Sequence, residues 1–277
     1  MNIWELFVAM LLGLVEGLTE FVPVSSTGHL IIVDDMLLKS QELLGSQEIA
    51  NTFKVVIQLG SILAVVIVFW PRLLQLIGLG EKSEPGTNRL KLTHVITGLI
   101  PAIILGFLFE DVIDTYLFSV ETVLIGLVAG AFLMIFADKK ARKHIEDDSI
   151  DDITYKQAFL IGLFQCLALW PGFSRSGSTI SGGVLLGLKH RAAADFTFIM
   201  AVPIMLGASG LSFIKKLDVF TPDMIPFFAV GFLSAFIFAW LSIRFFLALI
   251  GRIKLLPFAI YRIVLAIVLA VIYFNII

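Results

Sequence analysis

Residues 16–31 read EGLTEFVPVSSTGHLI. Two glutamates, a histidine, two serines and two threonines fall within these sixteen positions, with long apolar runs before and after. The run before it, IWELFVAMLLGLV (3–15), is too short to cross a bilayer, which takes roughly 20 apolar residues. A short apolar helix, a polar turn rich in Ser and Gly, and renewed apolar sequence describe a segment that dips into a membrane, breaks and returns. Broken backbone at membrane depth is tolerated only where protein buries it or it lines a watery cavity. The stretch therefore predicts a site as well as a fold.

Composition supports the membrane setting. Of 277 residues, 58% are hydrophobic and 15% charged, and the mean hydropathy is +0.99. Soluble domains are nearer 45–50% apolar and about 25% charged. The net charge of −2 argues against a nucleic-acid partner. Cys166 is the single cysteine, so no intrachain disulfide can form. MNIWELF has no basic residue, which argues against a secretory signal.

Six stretches are long enough to span: about 52–71, 92–110, 120–137, 192–214, 224–250 and 255–277. A second short run, AFLIGLFQCLALW (158–170), also ends at a polar turn. The two short runs are related. Shifted by 149 residues, LLGLVEGLTEFVPVSSTGHLI (11–31) lies on LIGLFQCLALWPGFSRSGSTI (160–180) without a gap, with seven identities in 21 positions. The Ser-x-x-Gly turn coincides. The expectation is an all-α polytopic membrane protein forming a single membrane domain over 1–277. Its two halves, about 1–137 and 155–277, each hold a re-entrant helix pair and three spans. Three is odd, so the halves are inverted relative to one another, and their broken elements meet near the midplane.

Charge predicts orientation. Arg72, Lys82, Arg89 and Lys91 follow the first span, and Lys139, Lys140, Arg142, Lys143 and Lys156 lie in or beside the joining segment 138–154. EDVIDT (110–115), which reads as a loop, has no basic residue. Basic segments belong in the cytoplasm, which puts both termini outside. Lys215 and Lys216 count against this.

Glu16 and Glu20 are four apart, so a helix presents both on one face. Snorkelling or distant arginine partners would account for them at an interface. At membrane depth, where ionisable residues are costly and usually functional, they predict a divalent metal site, with substrate oxygens and water completing the coordination. Pro23 then breaks the helix, and Ser25, Ser26 and Thr27 suit the start of the next. Simple capping is the plain role of such residues; an anion site at a helix start is the functional one. His29 falls one turn further on. His94, His144 and His190 read as ordinary, and Lys54, Asp195, Arg244 and Arg262 as snorkelling residues near span ends.

In the second turn, WPGFSRSGSTISGG (170–183), Arg175 stands among Ser174, Ser176, Ser178 and Thr179. Its planar fork suits bidentate phosphate binding. The repeat is chemically asymmetric: Glu16 aligns with Gln165, Glu20 with Leu169 and Ser26 with Arg175. Brought together, the halves make one site of carboxylates, hydroxyls, a histidine and a phosphate clamp. That inventory fits phosphoryl transfer, which needs positioning and cations above all. Glu16, Glu20, Ser26, His29 and Arg175 are the catalytic candidates, with Ser26, His29 or a water attacking. Ser25, Thr27, Ser174, Ser176 and Thr179 are the substrate-binding candidates. A lipid flippase or secondary transporter for an anionic lipid is the rival, because inverted repeats with broken helices are also transporter architecture.

EGLTEFVPVSSTGH and LWPGFSRSGSTISGG resemble the two signature regions of the bacterial undecaprenyl-diphosphate phosphatases, membrane enzymes linked to bacitracin resistance. The resemblance extends along the chain, through FKVVIQLGSILAVV (53–66) and LPFAIYR (256–262). It implies hydrolysis of undecaprenyl diphosphate to the monophosphate and inorganic phosphate, recycling the lipid carrier for cell-wall synthesis. It further implies a divalent cation, Mg²⁺ or Ca²⁺, and a site facing the external side of the bacterial plasma membrane. The expected partners are that lipid and the bilayer; a homodimer is allowed but not demanded.

Overall fold

A computed structural model describes residues 2–80, 89–117, 119–141, 149–216 and 221–276. Lys82, Arg142, Lys143 and His144, named above, lie outside the described residues, as does the middle of the joining segment. Every regular element among the described residues is helical. Six helices have the length and apolarity to cross a membrane: Gln47–Val68, Leu92–Phe109, Val120–Lys140, His190–Lys215, Pro222–Ile253 and Leu256–Phe274. They belong to α4 (Gln47–Val68), α6 (Leu92–Tyr116), α7 (Val120–Lys140), α10 (His190–Lys215), α11 (Ile225–Ile253) and α12 (Leu256–Ile276). Helices satisfy their own backbone polar groups, so they suit a medium without water. Their outward faces carry Ile103, Phe107, Phe132 and Phe245, all exposed to the surroundings.

Two shorter helical segments are broken. α1 (Ile3–Thr19) begins at a reciprocal cap between Asn2 and Glu5. It gives way to a turn, α2 (Ser26–Leu30) and a π-helical stretch, Ile31–Leu38. α3 (Ser40–Leu44) then leads into α4. In the second half, α8 (Tyr155–Cys166) and one tight turn, Leu167–Leu169, precede α9 (Arg175–Leu185).

Four boundaries differ from expectation. α1 ends at Thr19, short of the break expected at Pro23; Glu16 is helical, as its spacing from Glu20 predicts. α4 starts at Gln47, which places Lys54 two turns inside it. EDVIDT is no loop but continues α6 to Tyr116; its charges fall at the helix end, where hydropathy fades but backbone bonding does not. α4 ends at Val68, and Pro71 opens a separate α5 (Trp70–Leu76).

The broken helices pack on spans of the opposite half. α1 lies along α11, and α8 along α6. Both crossings pass through glycine pairs. A Cβ on Gly13 would come within 2.3 Å of the Gly231 carbonyl, and one on Gly162 within 2.2 Å of the Gly98 carbonyl. Spans α4 and α10 pack on each other, as do α7 and α12. Asp138, at the end of α7, ties three elements together. One carboxylate oxygen meets His190 Nε2 at 2.7 Å, and the other accepts the backbone N–H groups of Leu255 and Leu256 at the start of α12. His190 therefore has a definite structural partner.

Candidate active site

The two turns have the same local construction. Ser25 (φ 70°) and Ser174 (φ 74°) are N-caps in the left-handed region, an uncommon and strained conformation for serine. Ser25 Oγ accepts the Gly28 N–H, and Ser174 Oγ accepts the Gly177 N–H. These residues coincide under the 149-residue shift. The strained cap turns the chain sharply, and both cap serines line one cavity.

The turns meet side chain to side chain. Arg175 Nη2 donates to Glu20 Oε1 at 3.1 Å, and Ser26 Oγ donates to Glu20 Oε2 at 2.7 Å. One carboxylate thus binds the hydroxyl of its own turn and the guanidinium of the other. Phe21 supports the cation, its ring centroid 5.5 Å from Arg175 Cζ. Ser176 Oγ donates across to the Val22 carbonyl. Glu20 has left α1, yet its N–H still bonds the Glu16 carbonyl, so the two acids keep their helical spacing.

Two cavities flank this junction. One of about 270 Å³ is lined by Glu20, Ser25, Ser26, Thr27, Ser174, Arg175 and Gln165, among others. The second, about 530 Å³, is lined by Glu16, Asp35, Lys54 and other residues. Ser26, Thr27 and Gln58 border both. Glu16 is 2% exposed, and its Oε1 has no hydrogen-bond partner in the protein. Among the described residues, no three His, Cys, Asp or Glu side chains form a metal-holding group. A cation here would draw on the two glutamates, neighbouring hydroxyls and its own substrate.

Three sequence candidates stand back from the cavities. His29 lines neither. Its Nδ1 meets the Ser25 carbonyl at 2.8 Å, so Nδ1 carries a proton, and its Nε2 meets the Tyr261 hydroxyl at 2.7 Å. The two rings stack with 7° between their planes. Ser176 and Thr179 are fully buried; Thr179 donates to the Arg175 carbonyl and accepts from Thr197.

Arg262 corrects the snorkelling expectation: it is 0% exposed. Its Nη2 donates to the carbonyls of Gly126 and Gly172, tying α12 and α7 to the second turn. Lys54 is likewise no snorkeller; it holds Asp34 at 2.9 Å and Asp35 at 2.6 Å beside the larger cavity. Asp195 pairs with Arg191, and only Arg244 lies outward, over the Trp240 ring. Gln165 carried no role in the sequence beyond its alignment with Glu16, yet it lines the smaller cavity. Gln58, held by Ser209, gave no sequence signal at all.

Fold and site together define a polytopic helical membrane protein whose polar centre is closed by an ion pair between two broken helices. Residues 9–268 match the family described as Bacitracin resistance protein BacA, and the chain belongs to that family. It is 66% identical over 274 residues to an undecaprenyl-diphosphatase of Geobacillus sp. (strain WCH70), covering 99% of this chain and 100% of that one. It is 63% identical over 276 residues to an undecaprenyl-diphosphatase of Bacillus subtilis (strain 168), covering 98% and 99%.

Proposed function

We propose that this chain is a membrane phosphatase that hydrolyses undecaprenyl diphosphate to undecaprenyl phosphate and inorganic phosphate. It would thereby recycle a cell-wall lipid carrier and confer bacitracin resistance. Similarity over nearly the full length to proteins named for that activity supports the reaction. The single structural observation that carries it is Glu20 held between Ser26 and Arg175, residues of two distant turns. The chemistry follows from that arrangement. The Ser26 hydroxyl attacks the terminal phosphorus, and its proton passes to Glu20, which already accepts that hydrogen bond. The bond from phosphorus to the bridging oxygen breaks, and undecaprenyl phosphate leaves. Water then attacks the phosphoserine, its P–O bond to Ser26 breaks, Glu20 returns the proton to the Ser26 oxygen, and inorganic phosphate is released. Arg175 neutralises charge on the phosphoryl oxygens through its unpartnered Nη1. His29, bonded on both ring nitrogens, orients the turn through the Ser25 carbonyl rather than taking Ser26's proton.

For a divalent cation, Mg²⁺ or Ca²⁺, Glu16 keeps a buried oxygen without a protein partner, and Glu20, one turn on, would share oxygens that already accept from Arg175 and Ser26. Such a cation would be held by these two carboxylates and would neutralise diphosphate oxygens.

The inverted-repeat reading, with halves about 1–137 and 155–277, draws support from the paired strained serines and from α1–α11 mirroring α8–α6. On this reading the broken elements are re-entrant, and the site opens to the external face of the plasma membrane. The test is phosphate release by purified protein in detergent, with no sealed compartment. Turnover that stops in Ser26→Ala and under chelation supports the phosphatase and its cation. Tight lipid binding without turnover by the wild type would make the protein a transporter instead.

A further inference from the structure

Gln165 sits in the last turn of α8 and is 3% exposed. Neither its amide nitrogen nor its amide oxygen has a hydrogen-bond partner in the protein, although both are buried. Leaving an amide's donor and acceptor unsatisfied inside a protein is costly, so buried amides are nearly always bonded. Gln165 nevertheless borders the smaller cavity beside Arg175. The Nη1 of Arg175 is also buried and unpartnered, while its Nη2 is committed to Glu20. The start of α9, an 11-residue helix, faces the same space through Ser174 and Arg175. Two unused donors and one unused acceptor thus belong to two side chains that line one cavity.

That combination specifies the ligand. A fully ionised phosphate offers acceptors only and would leave Gln165 Oε1 without a donor. A phosphate with one protonated oxygen satisfies all three groups. Its ionised oxygens accept from Gln165 Nε2 and Arg175 Nη1, and its P–OH donates to Gln165 Oε1. Inorganic phosphate carries such a hydroxyl at neutral pH; the ester phosphate left on the lipid can lose its last proton. The repeat adds to this, because Gln165 occupies the position of Glu16 in the other half. A carboxylate there would repel the anion that a neutral amide welcomes.

We propose that Gln165 binds the transferred phosphoryl group and holds the departing inorganic phosphate. This rests on the phosphatase reading. The test compares wild type with Gln165→Met, close in shape but unable to form hydrogen bonds, and with Gln165→Glu. Thermal midpoint, kcat, KM for lipid diphosphate and inhibition by added inorganic phosphate are measured for each. Gln165→Met should keep or raise the midpoint, because it removes an unsatisfied amide. It should weaken inhibition by inorganic phosphate about tenfold or more, the value of hydrogen bonds to a charged acceptor. Gln165→Glu should lose both phosphate inhibition and turnover. A purely structural glutamine would give the opposite pattern, a lower midpoint with phosphate inhibition unchanged, and that result overturns the proposal. Wild type that releases no phosphate overturns the phosphatase reading instead, so the two failures are distinct.

Discussion

Arg175 lines the smaller cavity with one Nη bonded to Glu20 and the other buried without a partner in the protein. The geometry of the guanidinium therefore matters as much as its charge. Lysine is a compact point charge and cannot divide itself between a carboxylate and a phosphate in that way. Losing charge-assisted bonds that tighten in the transition state costs about 3 kcal/mol, roughly a hundredfold in rate. Arg175→Lys should fall by that order in phosphate release, and Arg175→Ala further, in variants of matched thermal stability. An active Arg175→Ala would remove the arginine from the chemistry and leave the second turn as architecture. Arg175 was legible in the sequence because an arginine set among four hydroxyls, in a chain that otherwise avoids charge, points to an anion. Arg262 was not legible. It lies one to two turns inside α12 (Leu256–Ile276), where a one-dimensional reading sees a charge near a span end. Only the approach of α7 and the second turn shows that its fork meets two backbone carbonyls.

At the scale of elements, the second turn is held in a groove cut by glycines. A Cβ on Gly130 of α7 would lie 2.3 Å from Arg262 Nη2 and 2.5 Å from the Phe173 carbonyl. Neither neighbour can yield without moving the turn that carries Ser174 and Arg175. Overpacking of this kind costs about 1–3 kcal/mol. Gly130→Ala should therefore lower the thermal midpoint and raise KM together, as the turn is pushed off the cavity. Gly207→Ala on α10 is the matched control, since nothing lies within 4 Å of its added methyl, and alanine is the better helix former. Its midpoint should hold or rise with activity unchanged. Equal effects from the two substitutions would show that the glycine groove does not position the site. The turns themselves could be recognised from Ser-x-x-Gly spacing. The face each helix start presents could not. His29 and Ser26 are three residues apart, yet His29 bonds Tyr261 while Ser26 borders both cavities.

At the scale of the molecule, hydropathy located all six long helices because lipid demands unbroken backbone bonding and apolar faces. It misplaced ends where charged residues continue a helix, as at the end of α6 and the start of α4. Orientation rests on the basic residues that flank the spans. It can be measured across one span. Ser119 precedes α7, and Ser149 lies beyond its other end. The 21 residues of α7 rise about 30 Å at 1.5 Å each, the thickness of a bilayer core. Cysteines at the two serines should thus fall on opposite sides whatever the orientation. The background is Cys166→Ser, where a hydroxyl can replace the thiol's bond to the Gly162 carbonyl. With basic residues inside, Ser119→Cys should react with an impermeant thiol reagent in intact cells, and Ser149→Cys only after permeabilisation. The reverse pattern would turn the molecule over and open its site to the cytoplasm. Reaction of both in intact cells would mean that α7 does not span, and the plan of three spans per half would fall with it.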